Sequence, residues 1–227
     1  MPGGQTNRIL ICGKSGSGKT TLAKQVIKQM LPRAKQLIIV NFKTDLAELV
    51  PAQARFTVND AGNPSKALRE HKRVFFQVTG YDPRAFLNAL GRDVMQRRDC
   101  LLVFDEAHWF WMRGKLPLEL YRVLTAGRSL GHNLMIITQA LTSSSFALDT
   151  SVIKQCSHYV FFRLSERNEV KAALEYIPEG APFLENLGRP DDGGAPEYLV
   201  RYSDGGKSGL VRRISGNIKK REFVLLK

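Results

Sequence analysis

Short apolar runs recur along the chain, separated by stretches with helical spacing or by turn residues. RILIC at 8–12, QLIIVN at 36–41, RFTV at 55–58, VFFQVT at 74–79, CLLVFD at 100–105, LMIIT at 134–138 and YVFFR at 159–163 each predict a strand. Between them, helical periodicity predicts helices from Lys19 to about Leu31, where Pro32 ends the first, and from Asp82-Pro83 to about Arg98. Two more are expected, over 117–127 and from near Ser165, with Glu166 and Glu169 in the first turn of the last. Near-continuous apolar strands alternating with helices imply an α/β fold, a mainly parallel sheet sandwiched by helices.

The pattern changes after Pro178. Gly, Pro and Asp accumulate over 180–195, and then EYLVRYS and GLVRRIS flank a DGGKSG turn. This predicts a core over residues 1–178 and an appended C-terminal β-hairpin with a basic tail over 179–227. A chain of 227 residues buries one sizeable core and leaves little room for a second complete domain. No apolar run approaches the roughly 20 residues of a spanning helix, so no transmembrane segment is expected. The opening residues have no apolar stretch of the kind a secretory signal carries. Cys12, Cys100 and Cys156 are widely spaced, which predicts buried free thiols and a reducing compartment.

Charge adds a partner. The net charge of +13 favours a polyanion, nucleic acid first among them. Within 201–227, eight cations (Arg201, Lys207, Arg212, Arg213, Lys219, Lys220, Arg221, Lys227) face only Asp204 and Glu222. His108-Trp109-Phe110-Trp111-Met112-Arg113-Gly114-Lys115 joins three aromatics to two cations, a composition that suits either a nucleic-acid contact or packing beneath the helix at 117–127.

The strand at 8–12 runs into Gly13-Lys14-Ser15-Gly16-Ser17-Gly18-Lys19-Thr20, which fits G-x-x-x-x-G-K-[ST] at every fixed position and opens a helix. Backbone amides of such a loop cradle phosphates at a helix N-terminus. Lys19 would place its charge on the β and γ phosphates of ATP, Thr20 would ligate Mg²⁺, and Thr21 continues the binding segment. LLVFDE at 101–106 delivers Asp105 to the carboxyl end of a strand as a second Mg²⁺ ligand, with Glu106 as candidate general base for the attacking water. Gln139 ends the strand LMIIT and can touch both the γ-phosphate and that water. Arg128, in AGRSLGHN, is a candidate arginine finger acting in trans, and Arg163 is held in reserve.

The phosphate loop, VFDEAH, GRSLGHNLMIITQ and VIKQCSHYVFFRLSERNE occur in the order seen in the HerA–FtsK superfamily of DNA-pumping ATPases. Over residues 8–175 the chain resembles the compact packaging ATPases of the tectivirus group, viruses with an internal membrane and a double-jelly-roll capsid protein. That resemblance implies a RecA/FtsK-like P-loop NTPase, a homo-oligomeric ring with ATP at subunit interfaces, and duplex DNA, bound without sequence preference, in the channel. It further implies genome packaging into a preformed capsid, with capsid or portal-vertex partners, in the host cytoplasm and then at the packaging vertex. By the same resemblance Lys19, Thr20, Asp105, Glu106, Gln139 and Arg128 take the roles argued above. Other HerA–FtsK-type DNA motors, or a nucleotide-dependent switch that moves no DNA, are the alternatives.

Overall fold

The computed structural model describes residues 6–59, 63–112, 114–142, 147–188, 196–202, 207–214 and 217–226, apart from the side chains over 213–222. Ten strands form one sheet: β1 (Arg8–Cys12), β2 (Gln36–Asn41), β3 (Arg55–Val58), β4 (Arg73–Val78), β5 (Cys100–Phe104), β6 (Asn133–Thr138), β7 (His158–Phe161), β8 (Tyr198–Tyr202), β9 (Ser208–Ile214) and β10 (Asn217–Leu225). Their order across the sheet is β10-β9-β8-β7-β1-β6-β5-β2-β4-β3. The seven strands from β7 to β3 are all parallel, while β8, β9 and β10 join antiparallel at the β7 edge.

Among the described residues, six α-helices accompany the strands: α1 (Lys19–Met30), α2 (Ser65–Glu70), α3 (Arg84–Met95), α4 (Leu118–Ala126), α5 (Thr150–Lys154) and α6 (Arg167–Leu174). Side chains alternate across each strand, so the sheet divides the core in two. Leu10, Ile38, Leu102, Phe104 and Ile136 face one side with α3 and α4, while Ile11, Leu37, Ile39, Val103 and Ile137 face the other with α1. Cys12, Cys100 and Cys156 are buried free thiols. No described helix is long and apolar enough to cross a membrane.

The expected strands are present, those at 8–12, 36–41 and 55–58 with the expected bounds and the others with ends shifted by one or two residues, and the expected parallel, helix-covered sheet is observed. Two short helices, α2 and α5, fall where the sequence carries no clear periodicity. At the start of α3, Pro83 takes the cap position, and Asp82 Oδ1 accepts from the Arg84 amide at 3.3 Å. The C-terminal segment beyond the hairpin is a third strand, β10, paired with β9, and β8 pairs with β7. The hairpin therefore continues the core sheet.

Helix α3 crosses α4 at Gly91. A Cβ there would lie 2.5 Å from the Leu120 nitrogen and 2.6 Å from the Glu119 oxygen, both backbone atoms of α4. Alanine gains about 1 kcal/mol over glycine in a helix interior, but forcing two packed helices apart costs roughly 1–3 kcal/mol. Gly91→Ala should therefore destabilise the fold by up to about 2 kcal/mol net in urea unfolding. A variant as stable as its parent would show that the α3–α4 crossing yields without cost.

Candidate active site

Strand β1 ends at Cys12, and the chain turns through the glycine-rich loop into α1. Gly16 and Gly18 have φ of 73° and 97°, left-handed conformations that side chains resist and glycine adopts freely. The turn brings the Lys19 ammonium back over the loop, where it donates to the Lys14 carbonyl at 2.7 Å. Lys19 is 8% exposed, and burial lowers its proton affinity. The Ser17 hydroxyl is buried with no partner among the described residues, and Thr20 is half-buried in the first turn of α1. Ser15, Gly16 and Thr21 are exposed, and Lys14 Nζ lies 3.6 Å from Glu166 Oε1.

Strand β5 delivers Asp105 and Glu106 to the same edge. Asp105 is buried. Its Oδ2 accepts from Asn41 Nδ2 at 3.2 Å and its Oδ1 from the Glu106 amide at 2.9 Å. Burial, then the neighbouring Glu106 charge, pushes the Asp105 carboxyl up to about 6. Glu106 sits at φ 54° and ψ 43°, a left-handed backbone that costs a non-glycine residue roughly 1–3 kcal/mol. Two donors meet its Oε1: Lys43 Nζ at 2.6 Å, and Gln139 Nε2 from the end of β6. The bond to Glu106 raises the Lys43 ammonium above its ordinary range.

Two further residues hold the floor. Thr138 Oγ1 lies 3.1 Å from both the Ala140 carbonyl oxygen and His108 Nδ1, so the hydroxyl links the two. Burial keeps this imidazole below its usual range. Glu169 of α6, also buried, accepts from the Leu141 amide at 2.8 Å and the Thr142 amide at 2.9 Å, fixing the segment just after Gln139.

The structure thus gathers Gly13 through Thr21, Asp105, Glu106 and Gln139 at one sheet edge. It places Arg128 elsewhere. Arg128 lies in the turn Gly127–Leu130 that leads into the amino end of β6, at the opposite edge, where its Nη2 donates to the Gln155 carbonyl at 2.9 Å. Arg163 follows β7 on the phosphate-loop side of the sheet. Sequence patterns assign no role at this site to Lys43, Asn41, His108 or Glu169. The one available signal was the polar run NFKTD closing the apolar strand QLIIVN.

Of the aromatic run, Phe110 and Trp111 are core residues. Phe110 stacks on Phe42 with centroids 4.9 Å apart, and Trp111 packs on Phe104 at 4.6 Å. Trp109 remains 43% exposed, and Arg113 lies outside the described residues. In the C-terminal cluster, Arg201 donates to the Tyr176 carbonyl and Arg212 is exposed. The side chains of Arg213, Lys219, Lys220, Arg221 and Lys227 are outside the described set.

The AAA domain family matches residues 4–142. No curated protein sequence matches the chain significantly. Among solved structures, the genome packaging NTPase B204 from Sulfolobus turreted icosahedral virus 2, in complex with ATP-gammaS, is similar with a TM-score of 0.67. It is 20% identical, over 90% of this chain and 96% of that one. The same protein in complex with AMPPCP gives 0.69 at 19% identity, over 92% and 98% of the two chains. VirB4 of Thermoanaerobacter pseudethanolicus gives 0.63 at 12% identity, over 100% and 91%. At these identities the likeness establishes a shared P-loop NTPase fold.

The carboxylate of Glu169 is the only described group that ties the segment after Gln139 to α6 through two amides. Glu169→Gln offers one acceptor oxygen where two are used, and hydrogen bonds to a charged group contribute about 1.5–3 kcal/mol each. The Leu141 and Thr142 amides should then exchange with deuterium about tenfold faster or more. Unchanged protection at both amides would show that the segment is held by other contacts.

Proposed function

We propose that this chain, which belongs to the AAA domain family and is an ATPase, drives double-stranded DNA into a preformed viral capsid. The observation that carries this reading is how the catalytic groups divide between two edges. The phosphate loop, Asp105, Glu106 and Gln139 share the carboxyl edge of the sheet, while Arg128 lies at the amino edge. One copy cannot bring Arg128 to its own phosphate loop, so a complete set forms between copies, as in a ring with ATP at its interfaces.

In that reading Lys19 and the amides of residues 13–21 hold the phosphates of ATP, and the orphan Ser17 hydroxyl gains a partner there. Thr20 and Asp105 fit Mg²⁺: one hydroxyl and one buried carboxylate would offer the hard oxygens that this cation takes. When bound, Mg²⁺ neutralises charge that develops on the transferring phosphoryl group. Glu106 accepts the proton of the attacking water, and Gln139 orients that water. With Lys43 and Gln139 both on its Oε1, Glu106 is clasped, and it must shed Lys43 before it can act as a base.

The +13 charge, with eight cations in the last 27 residues, supports duplex DNA as the partner. Contacts of this kind go to phosphates and carry no sequence information, which suits a motor that must accept a whole genome. Capsid or portal-vertex proteins are the further partners, with assembly in the host cytoplasm and then the packaging vertex as the site of action. In this scheme residues 1–178 form the ATPase core and 179–227 an extension of its sheet. B204, the packaging NTPase that shares the fold, supports the assignment to packaging over other DNA motors.

ATP turnover with and without duplex DNA tests the reading. DNA should raise the rate, and log affinity should fall against log salt with a slope of about 0.9 per phosphate contact. A rate indifferent to DNA would favour a nucleotide-dependent switch. Lys43→Met removes one arm of the clasp on Glu106. It should raise DNA-free turnover by roughly threefold or more, about 0.7 kcal/mol off the barrier. A fall in that rate would make Lys43 an aid to hydrolysis.

A further inference from the structure

At the amino edge of the sheet lies a cavity of about 1000 Å³ whose walls carry Arg33, Arg98 and Arg128. Its one lining carboxylate, Asp99, is already held by Lys35 at 2.7 Å. Beside Arg128, at the start of β1, Arg8 is 1% exposed, and its Nε and Nη1 have no partner among the described residues. Burial, then the like charge of Arg128, lowers the Arg8 guanidinium to about 10, so it stays charged at neutral pH. The other titratable groups that act on it, Cys156 and His132, offer no anion. Burial pushes the thiol up to about 12 and holds the imidazole below its usual range. A buried, unpaired cation beside a second cation is destabilising. The arrangement makes sense if the balancing charge arrives from outside the chain.

We propose that Arg33, Arg98 and Arg128 form a phosphate-binding site at the amino edge, with Arg8 as the positioning residue behind Arg128. Its occupant is the terminal phosphate of a nucleotide held by a second copy of this chain. The planar, permanently charged fork of arginine matches phosphate oxygens in pairs, and three forks around one cavity can meet a phosphate from several sides. Arg8 acts through its field. It is almost wholly buried, and its charge deepens the positive potential at the cavity wall beside Arg128. This inference rests on the reading that ATP is hydrolysed between copies, and it extends the trans-acting set from one arginine to four.

Mixed assemblies of the full chain test it. Glu106→Gln chains cannot hydrolyse ATP but present an intact arginine edge to a neighbour. Arg33→Gln and Arg98→Gln should each lose roughly tenfold in turnover, less than the 10³–10⁵ of a principal finger. Each should regain part of it when mixed with Glu106→Gln. Arg8→Met should melt at a higher temperature than the parent, because an unpaired buried charge is gone. It should nevertheless turn over roughly tenfold more slowly, with Arg8→Lys restoring most of the rate. Full turnover in both Arg33→Gln and Arg98→Gln, or losses that mixing does not repair, overturns the proposal. So does an Arg8→Met chain that both melts lower and turns over more slowly, the mark of a structural role alone. Inorganic phosphate without nucleotide separates the sources. If the Arg33→Gln/Arg98→Gln double variant loses stabilisation by millimolar phosphate yet keeps full ATP turnover, the site serves free phosphate and the proposal falls. Full turnover in Arg128→Ala would instead remove the shared-site reading beneath it.

Discussion

Everything at the active edge depends on parallel pairing. Because β1, β6, β5 and β2 are adjacent and run the same way, their carboxyl ends open side by side. The phosphate loop, Gln139, the Asp105–Glu106 pair and Lys43 are simply the next residues along each chain segment. Reversing any one strand would carry its functional residue to the far edge. The same pairing separates Arg128 from that edge by the length of β6. Apolar runs of four or five residues bury both faces of these strands and keep the register rigid beneath the site.

On that platform the chemistry is governed by charges kept from water. Asp105 and Glu106 are adjacent, nearly buried carboxylates, and each is held by neutral or cationic donors, Asn41 for one and Lys43 with Gln139 for the other. The left-handed backbone of Glu106 is tolerated because these bonds over-determine its position. At the opposite edge the imbalance has the other sign, with Arg8 buried beside Arg128 and, among the described residues, no carboxylate paired with either. One edge is arranged around carboxylates and a phosphate loop, the other around unmatched cations. Stacked copies would bring the two together.

Much of this was legible in the sequence, for identifiable reasons. The strands at 8–12, 36–41 and 100–105 announce themselves because a parallel strand buried on both faces must be apolar throughout. The phosphate loop is legible because its glycines answer to backbone conformations no other residue takes readily. Lys43, Asn41 and Glu169 were not legible. Their roles arise from partners 63, 64 and 28 positions away, a pairing that local pattern does not record. β10 was read as a tail because a run rich in lysine and arginine resembles a solvated segment, and its pairing with β9 overrides that propensity. The aromatic run stayed ambiguous because composition cannot separate Trp111, fully buried, from Trp109, 43% exposed two positions earlier.

The central claim is that binding and hydrolysis are separate devices set side by side, Lys19 acting on phosphates and Glu106 on water. The most direct measurement compares ATP affinity and single-turnover hydrolysis in Lys19→Ala and Glu106→Gln. Glu106→Gln should bind ATP within about twofold of the wild-type chain while its hydrolysis falls by roughly 10² or more, the scale of general-base catalysis. Lys19→Ala should lose binding itself. Wild-type hydrolysis in Glu106→Gln would contradict the account and move the base to another residue of this edge.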